Sequence, residues 1–190
     1  MRLLILGGTF NPIHVGHLML AEEAAREFGY DRVALVPSSA PPHKTPVGDP
    51  GPAARLEMTR AAVDGYGAFV VEDCEIERGG TSYTVDTLER IVATYPLEGR
   101  PGLLIGDDLA AGFESWRDPD GICRLADLIV ARRSGGPDAL ERPHRRASNM
   151  LLPISSTDIR SRIGSGRPWT WLVPGPAVRY ILTNGLYGSA

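Results

Sequence analysis

An α/β protein, with a doubly wound parallel sheet and helices on both faces, is the fold class this 190-residue sequence predicts. Three observations predict it. The short apolar runs Leu3–Leu6, Arg32–Pro37, Gly102–Ile105 and Asp127–Arg132 have the length and near-continuous hydrophobicity of parallel strands buried on both faces. After Pro12 the pattern changes to helix period, with Leu18, Ala21, Ala25 and Phe28 on one face. Strand, helix and strand then fit within about forty residues, as a right-handed βαβ unit requires.

The first element is Leu3–Leu6, broken by Gly7 and Gly8. The apolar run alone is compatible with a helix; the closing glycines and the change of period favour a strand. Glycines at a strand end let the backbone approach a ligand closely. The helix that follows opens with free N–H groups and the positive end of a dipole, which suits phosphate. His14 and His17 stand at that opening and, three residues apart, share a helix face. Both imidazoles can then donate to one anion above the strand. The preceding Gly-Gly-Thr-Phe and the intervening Gly16 favour this over two structural histidines. A zinc site is the weaker alternative, since no nearby Cys or carboxylate completes the set.

Arg32–Pro37 is the second strand. Ser38–Pro52, rich in Pro, Gly and small residues, is neither helix nor central strand. Within it His43 and Lys44, carried by Pro41 and Pro42 past a strand's C-terminal end, sit where open α/β sheets bind ligands, and phosphate contact is expected of them. Ala53–Val63 is an amphipathic packing helix and Phe69–Val71 a short strand. Glu75–Gly80 reads as a polar turn. Thr81–Leu88 opens a helix running to about Tyr95; a cap accounts for one of its hydroxyls but not for Tyr83 among them.

Gly102–Ile105 is closed by Gly106, Asp107 and Asp108, which lie over the sheet edge. The adjacent carboxylates suggest Mg²⁺, or equally a cap for the helix starting at Leu109. Trp116 and Arg117 follow in a polar segment, and Asp127–Arg132 is the next strand. Arg133–Ala147 reads as a polar surface excursion and Met150–Ile154 as the last strand. Directly after it, Ser155 and Asp158 fit a capping box. The same turn offers the hydroxyls of Ser155, Ser156 and Thr157, backbone N–H groups and Arg160 to a polyphosphate. Gly164–Pro168 ends that helix, and Pro176–Asn184 forms the final one.

Composition bounds the rest. The chain is read as one domain, 1–190, long enough for a good core. A net charge of −3 advertises no nucleic-acid partner. Cys74 and Cys123 form neither a disulfide framework nor a metal spacing, and read as cytosolic thiols. Leu3–Leu6 is too short an apolar stretch for a signal peptide, and no run approaches the ~18 residues of a membrane helix. A cytoplasmic protein is expected. Oligomeric state is open, a homo-oligomer among the alternatives.

Gly-Gly-Thr-Phe-Asn-Pro-Ile-His-Val-Gly-His, from Gly7 to His17, resembles the His-x-Gly-His signature of the nucleotidyltransferase superfamily. Its Thr-Phe-Asn-Pro form is similar to the bacterial nicotinate-nucleotide adenylyltransferases. The likeness extends through Pro-Pro-His-Lys ending at Lys44, Ser-Tyr-Thr-x-x-Thr-Leu from Ser82, Gly-x-Asp from Gly106, Trp116, Ile-Ser-Ser-Thr-x-Ile-Arg ending at Arg160, and Tyr180 to Tyr187. It covers nearly the whole chain. Thr81 departs from it, standing where the family has Pro.

The resemblance implies a Rossmann-like fold. It also implies an enzyme that transfers the adenylyl group of ATP to nicotinate mononucleotide, giving deamido-NAD and pyrophosphate in NAD biosynthesis. By that resemblance His14, His17, Lys44 and Arg160 are catalytic. Gly8, Thr9, Phe10, Gly106, Asp108, Ser155, Ser156 and Thr157 join those four in binding ATP. Thr9, Asn11, Tyr83, Thr84, Trp116 and Arg117 bind the mononucleotide, with Trp116 stacked on the ring. Mg²⁺ accompanies ATP, held mainly by phosphates and water, with no metal site of the protein's own. Phosphopantetheine and glycerol-phosphate nucleotidyltransferases share His-x-Gly-His, but Pro-Pro-His-Lys, Ser-Tyr-Thr and Trp116 argue against them. A nucleotide-binding module without turnover is the alternative from another class.

Overall fold

Side chains alternate along a strand, so a run that is apolar at every position must be covered on both faces. The first strand, β1 (Leu3–Gly8), behaves this way: Leu4 and Leu6 enter one core, Leu3 and Ile5 the other. The computed structural model describes residues 1–40, 48–137 and 139–188. Around β1 it builds a six-stranded sheet in the order β3-β2-β1-β4-β5-β6. These strands are β2 (Arg32–Pro37), β3 (Phe69–Val71), β4 (Gly102–Gly106), β5 (Asp127–Ala131) and β6 (Arg145–Arg146), and every pairing is parallel. β1 and β2 are in register from Leu3 opposite Arg32 to Gly8 opposite Pro37.

One face is covered by α1 (Val15–Phe28), α2 (Pro52–Val63), α7 (Ser156–Gly164) and α8 (Gly175–Thr183), which bury Ala21, Met58, Ile159 and Ile181. The other is covered by α3 (Cys74–Arg78), α4 (Thr84–Thr94) and α6 (Pro119–Leu125), with the short α5 (Asp107–Ala110) at the end of β4; Val85, Leu88 and Ile122 are buried there. This is the predicted doubly wound, Rossmann-like arrangement. Its chain order reverses between β1 and β4, where an open sheet leaves a crevice beyond the strand ends. No helix among the described residues is long and apolar enough to cross a membrane.

Several elements differ from expectation. Met150–Ile154 is not a strand; the sixth strand is Arg145–Arg146, opposite Ile129 and Val130 of β5. Pro153 has no N–H for a ladder, and Met150 and Leu151 are 57% and 38% exposed rather than covered. The 133–147 stretch is accordingly more than a surface excursion, since Leu140 and Ala147 are buried. Glu75–Gly80 is not a polar turn but mostly the helix α3, with Cys74 and Glu75 buried. No hydroxyl side chain caps α4, whose cap position is Tyr83.

Candidate active site

From Gly8 the chain turns through Thr9–Ile13 into α1. Phe10 takes φ 48°, in the left-handed region, and is buried with its ring 5.1 Å from His17, edge to face. A Cβ on Gly8 would lie 2.7 Å from that ring, so the turn closes only over a glycine. His14 is the cap residue of α1, and its main-chain N–H donates to Nδ1 of His17 at 3.3 Å. The two rings stack with centroids 3.7 Å apart. A Cβ on Gly16 would approach Nδ1 of His14 to 3.0 Å, so the glycine between the histidines leaves room for the stack.

This geometry assigns the protons. Nδ1 of His17 accepts, so the neutral ring carries hydrogen on Nε2, which is left as a donor. Both ring nitrogens of His14 are buried without a hydrogen-bond partner among the described residues. Burial, with Arg133 nearby, lowers the pKa of His14 to about 3. Burial, then His14, then Arg133 also holds His17 well below the usual histidine range. Both rings are neutral at pH 7 and aligned, and that of His14 is without a partner among the described residues.

The start of α7 is stitched to this turn. Ser155 Oγ accepts from the Asp158 N–H at 3.1 Å, the predicted cap. Ser156 Oγ donates to the Pro12 carbonyl at 2.8 Å. Arg160 donates to the Asn11 carbonyl at 2.6 Å and to Thr157 Oγ1 at 3.3 Å. The hydroxyl of Tyr187 donates to Asn11 Oδ1 at 2.8 Å.

Arg55 went unnoticed in the sequence and is fully buried. Its guanidinium donates to the carbonyls of Thr9 (2.9 Å), Ser38 (2.6 Å) and Ser39 (3.0 Å) and to Asp49 Oδ1 (2.9 Å). It thereby ties the exits of β1 and β2 together. The available signal was an Arg on the apolar face of α2, three and four residues before Met58 and Thr59.

The opposite end of the cleft is the start of α4. Ser82 Oγ accepts from the Ser39 N–H at 2.9 Å, and the Ser82 N–H donates to the Ala40 carbonyl at 2.9 Å. Arg117 lies 4.7 Å over the Tyr83 ring, occupying one of its faces, and 3.6 Å from Asp86. Trp116 is half-buried, its ring 5.3 Å from Phe113.

The adjacent acids after β4 have different employments, and neither caps a helix. Asp107 Oδ1 accepts from the N–H groups of Arg133 and Ser134, at 3.1 and 2.7 Å, and from Ser134 Oγ at 2.9 Å. Burial would raise its pKa, but the Ser134 and Arg133 hydrogen bonds outweigh that and lower it. Asp108 pairs with Arg133 at 3.2 Å. Among the described residues no group of three or more His, Cys, Asp or Glu could hold a metal ion.

One cleft of about 710 Å³ joins these parts. Gly8, Thr9, Phe10, Asn11, His14 and His17 line one end of it, Tyr83, Thr84, Trp116 and Arg117 another, and Gly106, Asp108, Ser155, Ser156, Thr157 and Arg160 the remainder. His43 and Lys44 lie outside the described residues. Glu75, Arg132 and Arg133, which sequence reasoning did not single out for it, also line the cleft.

Comparison with known proteins supplies an independent reading. The cytidylyltransferase-like family matches residues 5–162. A protein of Borrelia garinii subsp. bavariensis named probable nicotinate-nucleotide adenylyltransferase is 39% identical over 98% of this chain and 95% of its own. One of the same name from Treponema pallidum subsp. pallidum is 39% identical over the whole of both. In fold, the chain resembles Plasmodium falciparum nicotinic acid mononucleotide adenylyltransferase complexed with NaAD, with a TM-score of 0.78 and 16% identity over 100% of this chain and 98% of that one. The same enzyme complexed with APC gives 0.75 at 16% identity over the same shares.

Proposed function

The chain belongs to the cytidylyltransferase-like family and, within it, to the nicotinate-nucleotide adenylyltransferases; from that premise we propose that it transfers the adenylyl group of ATP to nicotinate mononucleotide. The products are deamido-NAD and pyrophosphate, in NAD biosynthesis. The observation that carries the mechanism is the stacked, neutral pair His14 and His17 at the start of α1, with the His14 nitrogens unpartnered. A buried polar group without a partner costs stability, and a phosphate chain at a helix start removes that cost.

The nucleophile is the mononucleotide's own phosphate, whose second pKa of ~6 leaves it ionised at neutral pH. One of its oxygens bonds to the α-phosphorus as the bond to the pyrophosphate oxygen breaks. No general base is needed. The burden is alignment and stabilisation of charge on the departing pyrophosphate. His17 Nε2 donates toward the α-phosphate, beside His14 and the N–H groups of Thr9 and Phe10. Arg160, Ser156 and Thr157 face the β- and γ-phosphates, and by the family resemblance Lys44 and His43, outside the described residues, would contact them too. Gly106 and Asp108 border the adenosine. Asn11, Tyr83, Thr84, Trp116 and Arg117 receive the mononucleotide. Asp107 Oδ1 already takes the Ser134 hydroxyl and Asp108 pairs with Arg133; Mg²⁺ would accompany ATP, held mainly by the phosphates and water, and would supply neutralisation of charge there.

The same reading takes the chain as a single domain, a cytoplasmic protein with no nucleic-acid partner, consistent with free Cys74 and Cys123 and a net charge of −3. Pyrophosphate release with ATP and either nicotinate or nicotinamide mononucleotide tests the reaction. Turnover with the acid at least about tenfold better in kcat/KM is expected; no release with either overturns it.

A further inference from the structure

Glu75 is a carboxyl in the cleft wall that the reaction above does not use. It is 6% exposed, on α3, and faces the start of α4. Its Oε1 accepts from Thr87 Oγ1 at 2.6 Å, and Thr87 Oγ1 also lies 3.3 Å from the Tyr83 carbonyl. Ser82 Oγ accepts from the Ser39 N–H, while the Ala40 carbonyl accepts from the Ser82 N–H and Ala40 bridges to Thr81. Hydrogen bonds thus tie the exit of β2 to Ser82, and Glu75 holds Thr87, one turn inside α4. Tyr83 and Thr84 lie between these two attachments.

We propose that Glu75 is a positioning residue for the ring end of the cleft: by accepting from Thr87, whose hydroxyl also reaches the Tyr83 carbonyl, it sets the turn before α4 against which the mononucleotide lies. Its role in recognition rests on the adenylyltransferase reading above. The residue type follows from hydrogen-bond inventory. A carboxylate is acceptor-only and meets the Thr87 hydroxyl with either oxygen; a glutamine has one acceptor oxygen, and its NH₂ takes the other place. Burial raises the pKa of Glu75, and Ser82 and Thr87, then Arg78 and Arg55, oppose that rise.

The test compares Glu75→Ala, Glu75→Gln and Thr87→Val in the full chain, by amide hydrogen exchange and by steady-state kinetics with both substrates. Glu75→Ala is expected to speed exchange over 36–40 and 81–88 while 15–28 keeps wild-type protection. It should raise KM for nicotinate mononucleotide about tenfold or more, with KM for ATP within about twofold, as a displaced contact surface does. Glu75→Gln, keeping one acceptor, should give about a third of that rise, and Thr87→Val a rise in the same direction. Should Glu75→Ala fail to fold, the other two variants carry the comparison. Equal rises in both KM values, exchange that is unchanged or loosened throughout, or Glu75→Gln as damaging as Glu75→Ala each overturns the proposal. A wild type that uses no mononucleotide defeats the substrate reading, while the exchange data still decide whether Glu75 holds the turn.

Discussion

At the histidine end of the cleft, the carbonyls of Thr9, Asn11 and Pro12 are gripped by Arg55, Arg160 and Ser156. At the Tyr83–Trp116 end, the Thr87 hydroxyl is gripped by a carboxyl, Glu75. The first is main chain held mostly by cations, of which Arg55 is buried; the second is side chain held by a buried anion. The difference has a physical use. An end that must meet a polyanion gains from surrounding positive charge and a rigid backbone. An end that must recognise a flat ring with one polar substituent gains from adjustable hydroxyls and aromatic faces. Damage at the first end should appear in stability, kcat and KM for ATP, and damage at the second in KM for the mononucleotide and in discrimination.

The largest expected effect is at Arg55. Arg55→Leu strands three carbonyls and Asp49, and loss of one partner of a buried pair costs about 3–5 kcal/mol. Urea denaturation measures it, and a cost under about 1 kcal/mol would break the comparison by showing that the buried cation does not hold this end.

His17→Ala comes next. Loss of a donor to charge that develops only in the transition state costs ~3 kcal/mol, roughly a hundredfold in kcat, with little change in KM. A folded variant within a few-fold of wild type would remove His17 from the chemistry.

The histidines also predict a pH dependence of stability. In the folded protein the pKa of His14 is lowered to about 3 and that of His17 is lowered as well. The unfolded chain, with ordinary histidines near 6.5, therefore binds more protons below that pH. Stability is full above about pH 6.5 and falls as the pH drops toward the folded values, by about 1.4 kcal/mol per pH unit for each ring. Denaturation at pH 7 and pH 5 should show the loss, and His14→Asn should shrink it. A wild-type curve that is flat over this window would mean that the rings are not sequestered.

Smaller effects separate the substrates. Arg160→Ala should raise KM for ATP more than KM for the mononucleotide, because Arg160 pairs with Thr157 of the polyphosphate turn and reaches the mononucleotide's residues only through the Asn11 carbonyl. Equal weakening of both would dissolve the division into two ends. Last, Thr84→Ala should narrow the preference for the acid over the amide, which is expected to be at least about tenfold. Trp116→Ala should harm both alike, ring stacking being indifferent to the substituent and worth ~1 kcal/mol. Measuring kcat/KM for both mononucleotides on the three proteins decides this.

What the sequence determined by itself was local. The β1 turn, the pairing of His14 with His17, and the Ser155–Arg160 cap depend on residues a few positions apart, where helix period and backbone geometry leave little choice. The apolar runs likewise specified buried strands and hence a sheet covered on both faces. What tertiary structure decided involves partners far apart in the chain. Met150–Ile154 is apolar enough for a strand, but β5 pairs with Arg145–Arg146 instead, and Pro153 has no N–H to offer a ladder. Asp107 looked like a cap or metal ligand until Ser134 was brought against it. The sequence put Arg55 on a packing helix and Glu75 in a polar turn, and only folding shows that each is buried with donors and acceptors from other segments. A charge in a sequence carries no mark of its burial. Its cost and its use arise from distant partners that the fold supplies, and at this cleft those partners hold both ends in place.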